Sequence, residues 1–88
     1  MELIWNSSFK KKLQKYIKKH PDLEDLIWEK IRLFESDPFN PDLKNHKLSG
    51  KLKDLRAFTI EYDCRISYLP VDKNKALFIG VGSHNDVY

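Results

Sequence analysis

The chain has 88 residues, 41% of them apolar, with eleven aromatic side chains and a net charge of +3. That length holds one domain, residues 1–88, with a modest two-layer core, and that apolar content excludes a disordered chain. The single cysteine, Cys64, excludes an internal disulfide framework and a multi-cysteine zinc site, and the apolar runs are too short to span a bilayer.

The opening residues, Met-Glu-Leu-Ile-Trp-Asn, lack the basic and apolar regions of a signal peptide, so the expected location is the cytoplasm, away from any membrane. Charge is unevenly spread. Residues 9–20 hold six lysines and no acid, residues 21–42 hold seven acids against Lys30 and Arg32, and residues 43–56 return to basic. Two basic zones flanking an acidic one predict a polarised surface with polyanions as partners of its basic side. The plainer alternative is a solvated lysine face.

Leu3 to Trp5 reads as a short strand at or near a sheet edge. Asn6, Ser7 and Ser8 are N-cap candidates for a first helix, whose apolar stripe is Phe9, Leu13, Tyr16 and Ile17. Pro21 closes it. Asp22 is placed as cap of a second helix with the stripe Leu23, Leu26, Ile27, Ile31 and Phe34, ending at Ser36-Asp37-Pro38. The short gap between them predicts an antiparallel helix hairpin. Residues 37–54 read as a long loop carrying His46, Lys44, Lys47, Lys51 and Lys53, and loops of that length are usually functional.

Three strands follow. From Leu55 to Tyr62, Phe58, Ile60 and Tyr62 alternate with Ala57, Thr59 and Glu61. Asp63 marks a tight turn or bulge. From Cys64 to Leu69, Cys64, Ile66 and Tyr68 alternate with Arg65, Ser67 and Leu69. Residues 70–74 turn the chain, and Lys75 to Val81, apolar on both faces, reads as a central strand. The expected fold is α+β: a helix hairpin on one face of a small, mainly antiparallel four-stranded sheet, ordered β-α-α-β-β-β. The other face, with Thr59, Glu61, Arg65 and Ser67, is left for a ligand.

The last strand runs into Gly80-Val81-Gly82-Ser83-His84-Asn85-Asp86-Val87-Tyr88. Histidine exchanges protons near neutral pH, aspartate can orient it, and tyrosine can stack on a base. A strand end with glycines is a place where a rigid scaffold presents such groups.

The chain as a whole resembles the RelE/ParE superfamily of toxins, nearest to the YafQ-like mRNA interferases. His46-Lys47-Leu48-Ser49-Gly50 resembles that family's His-Pro-Leu-x-Gly segment. Leu55-Arg56 followed by Ile60-Glu61-Tyr62-Asp63 resembles its Tyr-Arg and Ile-Glu-Pro-Asp strand and turn. Cys64-Arg65-Ile66-Ser67-Tyr68 resembles its Tyr-Arg-Leu-Val-Tyr strand, and Gly82 to Tyr88 resembles its Gly-Thr-His-Ser-Asp-Leu-Phe terminus. The sequence departs from the pattern at Lys47, Ser49, Thr59 and Cys64. Thr59 replaces a histidine and Cys64 an aromatic, so roles at those two positions do not carry over.

The resemblance implies a toxin silenced by a cognate antitoxin and a ribosome-dependent endoribonuclease that cuts mRNA without a metal or other cofactor. In such a reaction the 2′-OH attacks the adjacent phosphorus, which requires a base, cations for the phosphorane and an acid for the leaving 5′-oxygen. His84 is the candidate acid, and His46 or Asp63 the candidate base. Arg65 is the candidate clamp on the scissile phosphate, against the alternative of an ion pair with Glu61. Lys44, Lys47, Lys51, Lys53 and, more weakly, Arg56 are candidates for flanking RNA phosphates, and Tyr88 for stacking on a base. Asp86 would orient His84 or cap the turn. His46 and His84 lack a third ligand at a recognisable spacing, so no metal site is expected. Two other readings stay open: a ParE-like toxin that inhibits gyrase and cuts nothing, and a catalytically degenerate RNA-binding module.

Overall fold

The computed structural model describes residues 1–84. The order is β1 (Glu2–Ile4), α1 (Ser7–Lys19), α2 (Glu24–Ser36), β2 (His46–Lys47), β3 (Arg56–Glu61), β4 (Cys64–Asp72) and β5 (Lys75–Gly82). The strands form one five-stranded sheet in the order β1-β5-β4-β3-β2. The β1–β5 pair is parallel and the rest antiparallel, so the sheet is mixed and has one strand more than the expected four. The extra strand is β2, two residues inside the 37–54 segment, too short to carry an alternation signal. Each end of the sheet is therefore a very short edge strand, which limits unwanted pairing.

α1 starts where the Asn6 side chain accepts the Phe9 N–H at 2.7 Å, satisfying a donor that the helix cannot. Asp22 does not cap α2. It lies in a 3₁₀ turn, Pro21–Leu23, that leads into α2, whose N-cap position is Leu23. Proline fixes φ and suits the first position of such a turn.

The core lies between the helices and the sheet. Phe9 and Leu13 of α1, Ile27, Ile31 and Phe34 of α2, and Phe58, Ile60, Ile66, Tyr68 and Phe78 of the strands are buried there. Phe34 stacks on Phe58 with centroids 4.4 Å apart and meets Tyr68 edge-on at 4.8 Å. β1 stops one residue before Trp5, which turns edge-on to Phe78 at 5.0 Å. Such pairs add to simple burial through the ring quadrupoles.

Three irregularities reset the alternation read from the sequence. A bulge between Thr59 and Glu61 precedes the β3–β4 turn, and Tyr62 is 90% exposed instead of following Phe58 and Ile60 into the core. β4 continues through Pro70 to Asp72, so the reversal falls at Lys73 and Asn74 and not over 70–74. In β5, Ser67 pairs with Gly80 but Tyr68 pairs with Phe78, so Ile79 is the extra residue. That shift puts Phe78 and Val81 on the core face despite their odd spacing. The Ile79 carbonyl accepts from Lys12 Nζ at 3.2 Å, tying α1 across the bulge.

Candidate functional site

The 37–54 segment is held down at several points. Leu43 is fully buried and anchors a 3₁₀ turn, Pro41–Leu43. Lys44 then takes φ +49, the left-handed conformation that reverses the chain. Asn45 plugs into the fold: its amide Nδ2 donates to the Tyr68 hydroxyl at 2.7 Å and to the Pro38 carbonyl at 2.9 Å. Its Oδ1 accepts from Arg56 Nε at 2.8 Å. Arg56 also lies over the Phe39 ring, 5.3 Å from its centroid. These contacts fix the residue just before His46.

His46 opens β2 and pairs with Ala57. The pairing continues through Ser67 to Gly80, and directly paired residues project to one face. His46 thus ends a row of small residues on the sheet face away from the helices. Ala57 and Ser67 are buried, so this face is not the open surface the alternation suggests. A Cβ at Gly80 would come 3.1 Å from Ser67 Oγ, which keeps that row tight. The His46 Nδ1–H donates to the Lys44 carbonyl at 2.9 Å. A carbonyl can only accept, so Nδ1 carries a proton, and in the neutral ring the lone pair falls on Nε2.

Arg65 sits in the next row, between Thr59 on β3 and Gly82 on β5. It shares the His46 face because residues two apart on a strand do. By strand spacing and rise their Cα atoms are roughly 12 Å apart, within the combined reach of the two side chains. Thr59, not Glu61, is the residue directly opposite Arg65, and past the bulge Glu61 pairs with Cys64. Gly82, opposite Arg65 on β5, takes φ +149, a conformation that side chains rarely adopt.

Two residues beyond Gly82, His84 reaches the 37–54 segment. His46, Lys47, Leu48, Ser49, Leu52 and His84 line one cavity of about 350 Å³. Two imidazoles far apart in sequence therefore face a common space. Lys44, Lys51 and Lys53 are exposed on the same segment. Arg56 is half-buried in the Asn45 network and pairs with Tyr68, on the helix side of the sheet, so the fold does not bring it to this cavity. Asp63 is exposed in the β3–β4 turn and does not line the cavity either. Tyr88 and Asp86 lie outside the described residues. Among the described residues no three His, Cys, Asp or Glu side chains gather as metal ligands.

Next to Asp63, Cys64 is buried near Tyr16 of α1. Burial pushes both groups up from their ordinary values, the thiol and the phenol alike, and the nearby carboxylates of Glu61 and Asp63 push the same way. Cys64 is a core group and Tyr16 packs half-buried against it, which agrees with a packing role for Cys64. The residue that sequence reasoning passed over is Asn45. Its importance comes from three partners distant in sequence, and no local pattern announces it.

A model of the bacterial YafQ toxin family of type II toxin–antitoxin systems matches residues 1–88. Among solved structures, the chain is similar to a copper-bound mutant toxin from Helicobacter pylori, at 27% identity and a TM-score of 0.78, covering 100% of this chain and 99% of that one. It is similar to YafQ from E. coli strain BL21(DE3), at 20% identity and a TM-score of 0.78, covering 96% and 93%. It is also similar to a chain of the E. coli DinJ–YafQ toxin–antitoxin complex, at 21% identity and a TM-score of 0.75, covering 96% and 92%. A search of curated sequences returned no match. No helix among the described residues is long and apolar enough to cross a membrane.

Proposed function

The chain belongs to the YafQ family, toxins of bacterial type II toxin–antitoxin systems, and from that premise we propose that it is an endoribonuclease that cuts mRNA on the ribosome and is silenced by a cognate antitoxin. The observation that carries the reading is the cavity shared by His46 and His84. The two imidazoles stand where one can take a proton and the other give one.

His46 Nε2 takes the proton of the substrate 2′-OH, its Nδ1–H being held by the Lys44 carbonyl. The 2′-oxygen attacks phosphorus. Charge building on the equatorial oxygens is met by the planar fork of Arg65, and Lys47 serves the flanking phosphates. The P–O5′ bond breaks, and His84 protonates the departing oxygen. The products are a 2′,3′-cyclic phosphate and a 5′-OH. Asp63 remains the alternative base, and the place of His46 in the cavity that His84 lines favours the histidine. Lys44, Lys51 and Lys53 hold flanking phosphates of mRNA or ribosomal RNA, a contribution that weakens as salt rises. Tyr88 is assigned to stacking on a base beside the cut. The partner in the DinJ–YafQ complex supports an antitoxin here.

The test is single-turnover cleavage by His84→Ala and His84→Gln. His84 is exposed, so its loss leaves no cavity and costs little stability. General acid catalysis contributes about 10²- to 10⁴-fold, and both variants are expected to lose roughly that factor with ribosome affinity intact. Cleavage at close to the parent rate would remove His84 as the acid. Growth arrest without RNA cleavage by the parent would move the gyrase reading ahead.

A further inference from the structure

Between β2 and β3 the chain makes a tight return. The Leu48 N–H donates to the Leu55 carbonyl at 3.0 Å and closes it. Inside it, Gly50 takes φ +65, the left-handed conformation that suits glycine, and opens a 3₁₀ turn, Gly50–Leu52. The Leu52 N–H donates back to the Ser49 carbonyl at 3.2 Å. The return brings Leu48, Ser49 and Leu52 to the cavity of about 350 Å³ that His46 and His84 share. Leu48 and Leu52 are half-buried, yet neither belongs to the core cluster nor packs against it. Their place is the wall of a cavity that also carries two imidazoles.

We propose that Leu48, Ser49 and Leu52 form a base-binding subsite. The nucleobase on the 5′ side of the cut lies against the two leucines and turns its polar edge to Ser49. The proposal rests on the nuclease reading above. Cutting a phosphodiester calls for proton carriers and cations, and a leucine supplies neither. Apolar side chains that face a polar cavity are stabilised only by an apolar surface brought to them. RNA offers one such surface. Its phosphates are charged and its riboses hydroxylated, but an unstacked base has two flat apolar faces and a hydrogen-bonding edge. The Ser49 hydroxyl can donate and accept, which suits that edge. The cavity has the size of a small ligand site with an apolar lining and a few polar groups. Leu48 follows His46 by two residues, so the seated base is that of the nucleotide whose 2′-OH His46 deprotonates. The subsite thus makes the choice of cutting position depend on that base.

The test is methyl and imidazole NMR of the full chain, titrated with the four nucleoside 3′-monophosphates one at a time and, separately, with inorganic phosphate. A nucleoside 3′-monophosphate carries the base, the 2′-OH and the phosphate of the 5′ side of the cut. The nucleotides are expected to shift the methyls of Leu48 and Leu52 together with the rings of His46 and His84. Inorganic phosphate is expected to shift the rings and leave both leucines unmoved. The double variant Leu48→Ala/Leu52→Ala is expected to bind the best of the four nucleotides about tenfold more weakly, with inorganic phosphate bound as in the parent. Ser49→Ala, at an exposed position, is expected to narrow the spread of affinity among the four bases, and it decides the matter if the leucine variant misfolds. In single-turnover cleavage of programmed ribosomes, with mRNAs that differ only at the base 5′ of the cut, both variants are expected to flatten the preference. A loop damaged only in its structure would slow all four mRNAs alike. Leucine methyls that move no more with nucleotides than with phosphate would overturn the proposal, as would an unchanged base preference in both variants. Either result leaves the nuclease reading standing if the parent still cuts. Nucleotides that shift the leucines, in a chain that leaves ribosome-bound mRNA intact, would support the subsite and sink the nuclease.

Discussion

Asn45→Ala is the perturbation that most directly tests how the fold holds its site. The substitution removes three hydrogen bonds: to the Tyr68 hydroxyl, to the Pro38 carbonyl and from the Arg56 guanidinium. The Tyr68 residue is 2% exposed, so water cannot readily replace the lost partner. Neutral bonds of this kind are worth about 1 kcal/mol each and those to a charged group about 1.5 or more, and orphaned buried groups cost further. A loss of about 3 kcal/mol is therefore expected. For a domain of this size that is a drop in Tm of roughly 12–24 °C, a large share of typical stability. The assay is thermal unfolding followed by circular dichroism, with cleavage measured well below the transition. Because Asn45 precedes His46, cleavage is expected to fall even where the protein stays folded. Tyr68→Phe removes only one of the three bonds and is expected to cost about 1 kcal/mol. A melting point for Asn45→Ala within a few degrees of the parent would refute the reasoning, since it would mean that the network adds nothing to the fold.

Arg65→Lys keeps the charge but loses the two-pronged geometry, and cleavage is expected to slow at least about tenfold with an unchanged melting point; an unchanged rate would give Arg65 a purely structural role. His46→Ala is expected to cost about 10²- to 10⁴-fold in single-turnover rate and Asp63→Asn less than about tenfold, and the reverse order would make Asp63 the base. Stability is expected to depend on alkaline pH. The thiol of Cys64 and the phenol of Tyr16 are raised in the fold above their ordinary 9.0 and 10.0, so the unfolded chain releases those protons first. Their contribution is complete below 9.0 and is lost as pH rises above it. Melting points taken from neutral to alkaline pH should fall accordingly, less steeply in Cys64→Ala; a melting point that holds or rises would contradict the burial of both groups.

Much of the fold was legible because its periodicities are clean. The stripe of Phe9 and Leu13 and that of Ile27, Ile31 and Phe34 turned out to be the buried faces of α1 and α2. Lys75 to Gly82, apolar on both sides, has a neighbour on each edge. The misses fall where one residue breaks the period. The bulge before Glu61 turned Tyr62 outward, and the extra Ile79 moved Val81 to the core face. β2 was invisible because two residues cannot show alternation, and Asp22 lost the cap position to a 3₁₀ turn that Pro21 begins. In the site, histidine identity and family pattern picked out His46 and His84, and only the fold could bring them to one cavity. Arg56 illustrates the converse. Strand alternation already places Arg56, a weak phosphate candidate, towards the helices with Phe58 and Ile60, whereas its contacts with Asn45 and Phe39 are ones that sequence spacing does not encode.

The central claim is that this chain cuts mRNA by attack of the 2′-OH, and the most direct measurement is the chemistry of the ends it makes. Ribosomes programmed with a defined mRNA are incubated with the purified protein in the absence of its antitoxin, and the fragments are mapped and their termini identified. The account predicts cuts only in ribosome-bound mRNA, with a 2′,3′-cyclic or 3′-phosphate on one side and a 5′-OH on the other. A 5′-phosphate at the cut, or intact mRNA beside arrested growth, would contradict it.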